Sequence, residues 1–279
     1  MKKIATAALV LAVSLAVSAS SGWPFGGART YEGRGFNTPE AALRAYIEAY
    51  RDMDLDAMLS ACAVESYAEH YDLEVYTRRI AHYNASNPNV ILPNTDPFAK
   101  QLNAERVAAG IYGSIYNSVL NFAFFEMSIA GTQGKSIQYL ARERPSAAHT
   151  EFFAVLDDTA KFQSIQRLTI ERILTETDFL SYLPYSSRYA NMQRQISKIE
   201  DMYGGKLAEI AAIVSIDSEL YLLSAYAVEY DGGGKWYIIP ARGDFTVIIG
   251  LSPYYSAGGL VPIYDEAMNL EAVQWLFTL

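Results

Sequence analysis

Apolar and polar positions alternate along this chain in two distinct rhythms, and each predicts a different element. Between residues 39 and 51 the rhythm is helical. Leu43, Tyr46, Ile47 and Tyr50 recur at i, i+3, i+4 and i+7, which puts them on one face. Thr38 before Pro39 opens that helix, because a threonine hydroxyl accepts a first-turn amide and proline needs no partner for an N–H it lacks. Glu40 lies at the positive end of the helix dipole. Asp52 and Asp54 interrupt the pattern. Asp54 then caps a second short helix carrying Leu55, Met58, Leu59 and Cys62 on one face. A third helical pattern runs over 65–84, with Tyr67, Tyr71, Val75 and Ile80 as its apolar positions. Residues 84–97, with three prolines and four asparagines, predict a loop.

Thr95 or Asp96 caps the next helix, which is predicted to reach about Ala130. From Ala108 onward it is apolar nearly all round, which predicts a buried central helix or one packed on another chain. Asn117, Asn121 and Glu126 inside it argue against a membrane span, because a central carboxylate is costly in lipid. Residues 149–162 predict a short helix. Residues 165–174 change to the strand rhythm. Ser186 or Ser187 begins a helix with Tyr189, Met192, Ile196, Ile199 and Tyr203 on its apolar side, stopped by Gly204-Gly205. Three antiparallel strands follow at 207–216, 220–230 and 235–241, turned at Asp217-Ser218 and at 231–234. Residues 245–251 predict a further strand, and 265–279 a final helix. Early helices, a late sheet and a helical middle predict one elaborated α+β domain.

The segment from Thr38 to Cys62 resembles the opening of the NTF2-like superfamily, a cone of helices on a curved antiparallel sheet. There a first helix begins T/S-P-E-x-A-x-x-x-Y, and an acidic turn and a second short helix follow. The run from Leu220 through Gly232-Gly-Gly-Lys235-Trp236 resembles the long closing hairpin of that fold. The resemblance covers roughly 36–84 and 165–242. It implies a single domain over 37–279 with 85–160 as a helical insertion. It also implies a cavity between the first helix and the concave face of the sheet, bringing Tyr46 and Tyr50 near Tyr226 and Trp236. Those four are the candidate ligand-binding residues, and each is equally explained as core filling.

The N-terminus changes the picture of compartment. Lys2, Lys3, an apolar run from Ile4 to Val17, and Val17-Ser-Ala19 read as a secretory signal peptide cleaved after Ala19. The alternative is an uncleaved anchor. Residues 20–36 read as a flexible Gly-rich leader. Cleavage leaves 260 residues and takes the formal net charge from −9 to −11. That acidity disfavours nucleic acid and anionic membrane as partners. A location in the periplasm, the envelope or outside the cell is expected, with no stable membrane span in the mature chain.

Candidate chemistry is sparse. Cys62 is the single cysteine, so no internal disulfide can form, and its helical position reads as a buried inert thiol. The histidines are His70, His82 and His149. His70 and Glu74 at i, i+4 read as a surface ion pair, and no metal or cofactor is called for. Gly232-Gly-Gly-Lys235 lacks the phosphate-loop spacing and reads as a hairpin turn. Tyrosine, at 21 residues, is the compositional oddity, and it suits pockets and interfaces because each ring is apolar with a polar tip. The expectation is an exported, non-catalytic binding or scaffold protein holding a small apolar or amphipathic ligand. An isomerase or cyclase of the same fold, or a wall-polymer hydrolase, is the alternative, and a homodimer through the sheet or the 98–130 helix is a further expectation.

Overall fold

A computed structural model describes residues 29–80, 90–132, 159–230, 232–240, 245, 248, 249, 259–263 and 270–279. The predicted signal peptide, His82, His149 and residues 85–89 and 133–158 of the predicted insertion lie outside the described residues. The chain divides into two compact units. One comprises Tyr31–Phe122 and Ser164–Leu279; the other comprises Met1–Thr30 and Ala123–Gln163. The first is the α+β body that carries everything below. Of the second, the described part is helical backbone at 123–132 and 159–163, together with residues 29 and 30.

The opening helical pair forms for the predicted reasons. In α1 (Pro39–Arg51) the Thr38 hydroxyl accepts the Ala41 amide at 3.2 Å. In α2 (Leu55–Ala61) the Asp54 carboxylate accepts the Ala57 amide at 2.9 Å. Met53, at φ 56°, makes the left-handed step between them. The pattern over 65–84 does not form one helix. It breaks into α3 (Glu65–His70) and α4 (Leu73–Ile80), because Tyr71 is extended and Asp72 restarts the helix by accepting the Val75 amide at 2.9 Å. His70 and Glu74 therefore do not share a helix. Glu74 pairs with Arg78 at 3.3 Å instead.

The long helix α5 (Pro97–Thr132) starts on Asp96, whose carboxylate accepts the Ala99 amide at 3.0 Å. It is not buried all round. Ala104, Ala108, Ile111, Ile115, Ser118 and Phe122 form one buried stripe, whereas Ala109, Gly110, Gly113 and Tyr116 are exposed. A seven-residue spacing of small and large apolar side chains gives one sided contact, whatever the mean hydropathy of the segment. Among the described residues, no helix is long and apolar enough to cross a membrane.

After α6 (Thr159–Ser164) and a tight turn at Ile165–Arg167, the sheet begins with β1 (Thr169–Leu174). Two short helices absent from the predicted elements follow, α7 (Glu176–Ser181) and α8 (Leu183–Ser186). Then comes α9 (Tyr189–Tyr203), which ends in the left-handed Gly204. β2 (Lys206–Ile216) and β3 (Glu219–Glu229) pair in register along their whole length. Asp217 and Ser218, both at positive φ, form the two-residue turn. β4 (Trp236–Ile239) pairs with the second half of β3, and β5 (Leu260–Pro262) with its first half. Where a strand is predicted over 245–251, the described residues 245 and 248 are helical and 249 is in a turn. The Ile249 amide donates to the Phe245 carbonyl at 3.0 Å, a helical turn, and the fifth strand comes from Leu260–Pro262. The last helix, α10, spans Leu270–Thr278.

Antiparallel partners share a face, so register sorts the core. Ile210, Ala212 and Val214 of β2, with Leu223, Ala225 and Ala227 of β3, belong to the cluster that holds Leu43, Tyr46, Ile47 and Tyr50 of α1. The alanines on the sheet make room for the large helical side chains, and Tyr46, Leu43 and Ile47 are wholly buried. Burying each of the aliphatic pair contributes about 1.5–3 kcal/mol. On the other face, Ala211, Ile213 and Leu222 pack with Phe179, Tyr182, Tyr185, Phe245 and Val273.

Residues 31–36, expected within the flexible leader, are tied down. Phe36 and Trp236 exchange backbone hydrogen bonds of 3.0 and 2.7 Å at the outer edge of β4, and the Gly33 amide donates to the Ser60 carbonyl. On the same edge the Ala63 amide donates to the Ile238 carbonyl at 3.0 Å. These two segments cover β4, which would otherwise offer an open row of donors and acceptors.

Candidate functional site

The polar chemistry lies at one end of the sheet and on the face opposite α1. At the end where β2 begins and β3 finishes, Tyr203 of α9, Tyr67 and Tyr71 around α3, and Tyr230 just past β3 come together. The Tyr67 and Tyr203 rings meet edge to face at 5.1 Å, and Tyr67 and Tyr71 lie 5.6 Å apart. Tyr76 extends the row, 6.0 Å from Tyr71, and His70 stacks on Tyr230 at 4.6 Å.

Local backbone geometry makes this convergence. Gly204 closes α9 with φ 71°, and a Cβ there would lie 2.4 Å from the His70 carbonyl oxygen. At Gly205 a Cβ would lie 2.8 Å from the Tyr230 ring. The glycine pair therefore lets the end of α9 press directly on the end of α3 and on β3. The Asp72 amide donates to the Met202 carbonyl at 2.8 Å and locks that contact.

Hydrogen bonding within the cluster is incomplete. The Tyr67 hydroxyl donates to Tyr203. The hydroxyls of Tyr71 and Tyr230 are buried and have no hydrogen-bond partner. Burial drives the phenols of Tyr67, Tyr71 and Tyr230 well above their ordinary range, and nearby phenols add to the rise. All remain neutral hydroxyls at physiological pH.

Glu32 borders the cluster. Its Oε2 accepts the Val64 amide at 2.9 Å, the Ser66 amide at 3.0 Å and the Ser66 hydroxyl at 2.7 Å, and Tyr237 donates to the same carboxylate. Glu65 answers by accepting the Tyr31 and Glu32 amides at 2.7 and 2.9 Å. The two carboxylates thus clasp the 31–36 segment to the start of α3. Burial raises the Glu32 carboxyl above the usual glutamate range despite those donors. The charged neighbour that acts on it, Glu65, is also acidic, and among the described residues Glu32 forms no ion pair. Its charge is felt by Tyr230, Tyr237 and Cys62.

On the face opposite α1 stands a second buried carboxylate, Glu209, 4% exposed. It accepts the Phe245 amide at 2.7 Å and the Tyr185 hydroxyl at 3.2 Å. Phe179, Phe245 and Trp275 wall it in, with Phe179 and Phe245 stacked at 4.1 Å. Glu209 thereby starts the helical turn at Phe245, a structural role for a charge in an apolar strand.

The four sequence-predicted residues come from three elements. Tyr46 and Tyr50 lie together on α1, facing the alanine-rich side of the sheet. The Tyr50 hydroxyl is 3.1 Å from Ser118 Oγ of α5, and its burial pushes its pKa up to about 12. The Tyr46 hydroxyl is fully buried without a partner. Tyr226 pairs across the strands with Glu209 and Ile239, which places it on the opposite face, within the field of Tyr185. Trp236 sits half-buried at the outer end of the sheet with Lys206 Nζ 5.8 Å from its ring centre. Tyr46, Tyr50 and Tyr226 lie in one buried cluster with Trp236 packed against it, Tyr226 pointing to the strand face opposite Ala225 and Ala227. Cys62 is buried beside β4, and burial raises its thiol far above the ordinary range.

Sequence reasoning passed over Glu32, Tyr67, Tyr71, Tyr203, Tyr230 and Glu209. Two signals for them were present. Glu209 is the one carboxylate inside the apolar run Lys206–Ile216, and Gly204-Gly205 marks a close backbone approach as well as a helix stop.

No protein-family model matches the chain, and no curated protein matches it. Among solved structures the chain is similar to a cystatin-like protein from Ruminococcus gnavus ATCC 29149, at 15% identity and a TM-score of 0.38. The match covers 71% of this chain and 38% of the other, and at that level it assigns neither fold family nor function.

Proposed function

We propose that this is an exported, non-catalytic binding or scaffold protein of the cell envelope, and that the tyrosine cluster at the end of the sheet holds a small amphipathic ligand. The observation that carries the reading is the pair of buried, unpartnered hydroxyls on Tyr71 and Tyr230 beside the Tyr67–Tyr203 pair. A buried hydroxyl without a partner costs roughly 1–3 kcal/mol, and phenylalanine would have filled the same space without that cost. A bound molecule with polar and apolar parts removes the penalty. Export rests on the N-terminal pattern. An NTF2-like cone over 37–279, with 85–160 inserted, rests on the Thr38–Cys62 and Leu220–Trp236 segments.

The enzyme reading would draw on Glu32, a carboxyl of raised pKa beside tyrosines. Its Oε2 already accepts three donors as the clasp on α3, so binding is favoured over proton transfer.

The test is the melting temperature of the mature chain titrated separately with phenol, 1-butanol and butylammonium. At least one probe is expected to raise it saturably, and a Tyr71→Phe/Tyr230→Phe variant is expected to lose that response. No saturable rise with any of the three, or an undiminished rise in the variant, overturns the reading.

A further inference from the structure

We infer that the molecule held by the tyrosine cluster is a protonated alkylamine. Its N–H groups donate to the oxygens of Tyr71 and Tyr230, its charge answers the unpaired Glu32 carboxylate, and its carbon chain lies along the tyrosine rings. This deepens the binding reading above and rests on it.

Three observations point to a cation. The orphan groups are neutral phenol hydroxyls, each of which can accept a hydrogen bond from a ligand N–H while its own O–H remains free to donate. Glu32 and Glu65 take part in none of the ion pairs of the described residues, and the lysines at the same end of the sheet are engaged elsewhere, Lys206 over the Trp236 ring and Lys235 on the Asn37 side-chain oxygen. An anion would meet two carboxylates, and a neutral alcohol would leave Glu32 uncompensated. The cluster is also aromatic on several sides, with Tyr67, Tyr71, Tyr76 and Tyr203 within 5.1 to 6.0 Å of one another in sequence of contact. Ring faces attract ammonium groups through their quadrupoles. Tyr203 and Tyr237 are half-buried, whereas Tyr71 and Tyr230 are buried.

His70 also lies at this edge, stacked on Tyr230. Binding is therefore measured at about pH 8, where histidine side chains are ordinarily neutral and an alkylamine, like lysine, is protonated. Calorimetry compares butylammonium with its neutral isostere 1-butanol at constant ionic strength, on the whole mature chain. Butylammonium is expected to bind one to one and about tenfold more tightly than 1-butanol. Glu32→Gln is expected to weaken butylammonium about tenfold and 1-butanol less, whereas Tyr230→Phe is expected to weaken both. Far-ultraviolet circular dichroism checks that both variants are folded. Should Glu32→Gln fail to fold, Tyr71→Phe with Tyr230→Phe serves in its place, since neither removes a helix cap. If 1-butanol or phenol binds as tightly as butylammonium, the cationic class is wrong and the binding reading stands. If butylammonium binds and Glu32→Gln leaves it unchanged, the role given to Glu32 is overturned. If none of the three binds, both inferences fall.

Discussion

Two regions around the sheet use tyrosine in opposite ways. Facing α1, Tyr46 and Tyr50 fill space left by Ala212, Ala225 and Ala227, among Leu43, Ile47 and Leu223. On the other face Tyr185 and Tyr226 flank Glu209, and at the end of the sheet Tyr67, Tyr71, Tyr203 and Tyr230 gather next to Glu32. The first arrangement is volume complementarity between a helix and a sheet. The second is a concentration of polar groups in a region with few places to send their hydrogen bonds. The same residue type, at similar burial, is filler in one region and candidate chemistry in the other. What separates the two uses is where the hydroxyl ends, which composition does not report.

The sharpest way to break the contrast is to empty the filler. Tyr46→Ala is expected to cost about 3–5 kcal/mol in denaturant unfolding, because the alanines facing it cannot collapse into the space. A loss below about 1 kcal/mol would mean that the α1 face is loosely packed and that the comparison fails there.

Gly204→Ala attacks the tyrosine cluster. The substitution carries a left-handed backbone cost of roughly 1–2 kcal/mol. It also drives a Cβ against the His70 carbonyl, at a built distance of 2.4 Å. A total loss of roughly 2–4 kcal/mol is expected, together with loss of probe binding at the tyrosine cluster. Full stability and full binding would show that α3 and α9 do not need their close approach.

A smaller effect distinguishes the hydroxyls. Tyr46→Phe and Tyr230→Phe each remove a buried oxygen without a partner and should each stabilise the unliganded chain by about 1 kcal/mol. The two are expected to part company on binding, with Tyr46→Phe silent and Tyr230→Phe weakened. Equal behaviour in both assays would erase the difference between the regions.

The smallest effect is electrostatic. Burial holds the Glu32 carboxyl above its ordinary value. Between the unfolded value and the raised one, the folded chain binds more protons than the unfolded chain. The contribution is therefore full below the unfolded value and is lost as pH rises through the raised one. Thermal unfolding from acid toward neutral pH should show that decline, and Glu32→Gln should flatten it. A wild-type slope of the opposite sign would contradict the burial assigned to Glu32.

Much of the fold was legible along the chain because its signals are local. Thr38, Asp54 and Asp96 cap the helices they were expected to cap, and Gly204 ends α9. The β2–β3 hairpin turns at Asp217-Ser218 as its pattern required. The break at Tyr71 was not legible, since Tyr67, Tyr71, Val75 and Ile80 keep a helical rhythm across it. Asp72 stops the helix by binding its amide to Met202, a residue far along the chain. The turn at Phe245 escaped for the same reason: its first amide is satisfied by Glu209, from β2.

The candidate site shows the same division. Tyr46 and Tyr50 share a helical face by sequence spacing alone, and the structure keeps them together. Their expected partners depend on which side of a strand a residue occupies and on which side α1 packs. Register puts Tyr226 opposite Glu209, on the far face. By itself the sequence determined the helices with their caps, the strand alternation, the long hairpin and an abundance of tyrosine, because these depend on neighbours within a few residues. Only the tertiary structure decided which tyrosines meet, that Glu32 is buried without a cation, and that Tyr71 and Tyr230 lack partners. Those facts depend on the Gly204-Gly205 approach and the 31–36 clasp, contacts between segments far apart in the chain.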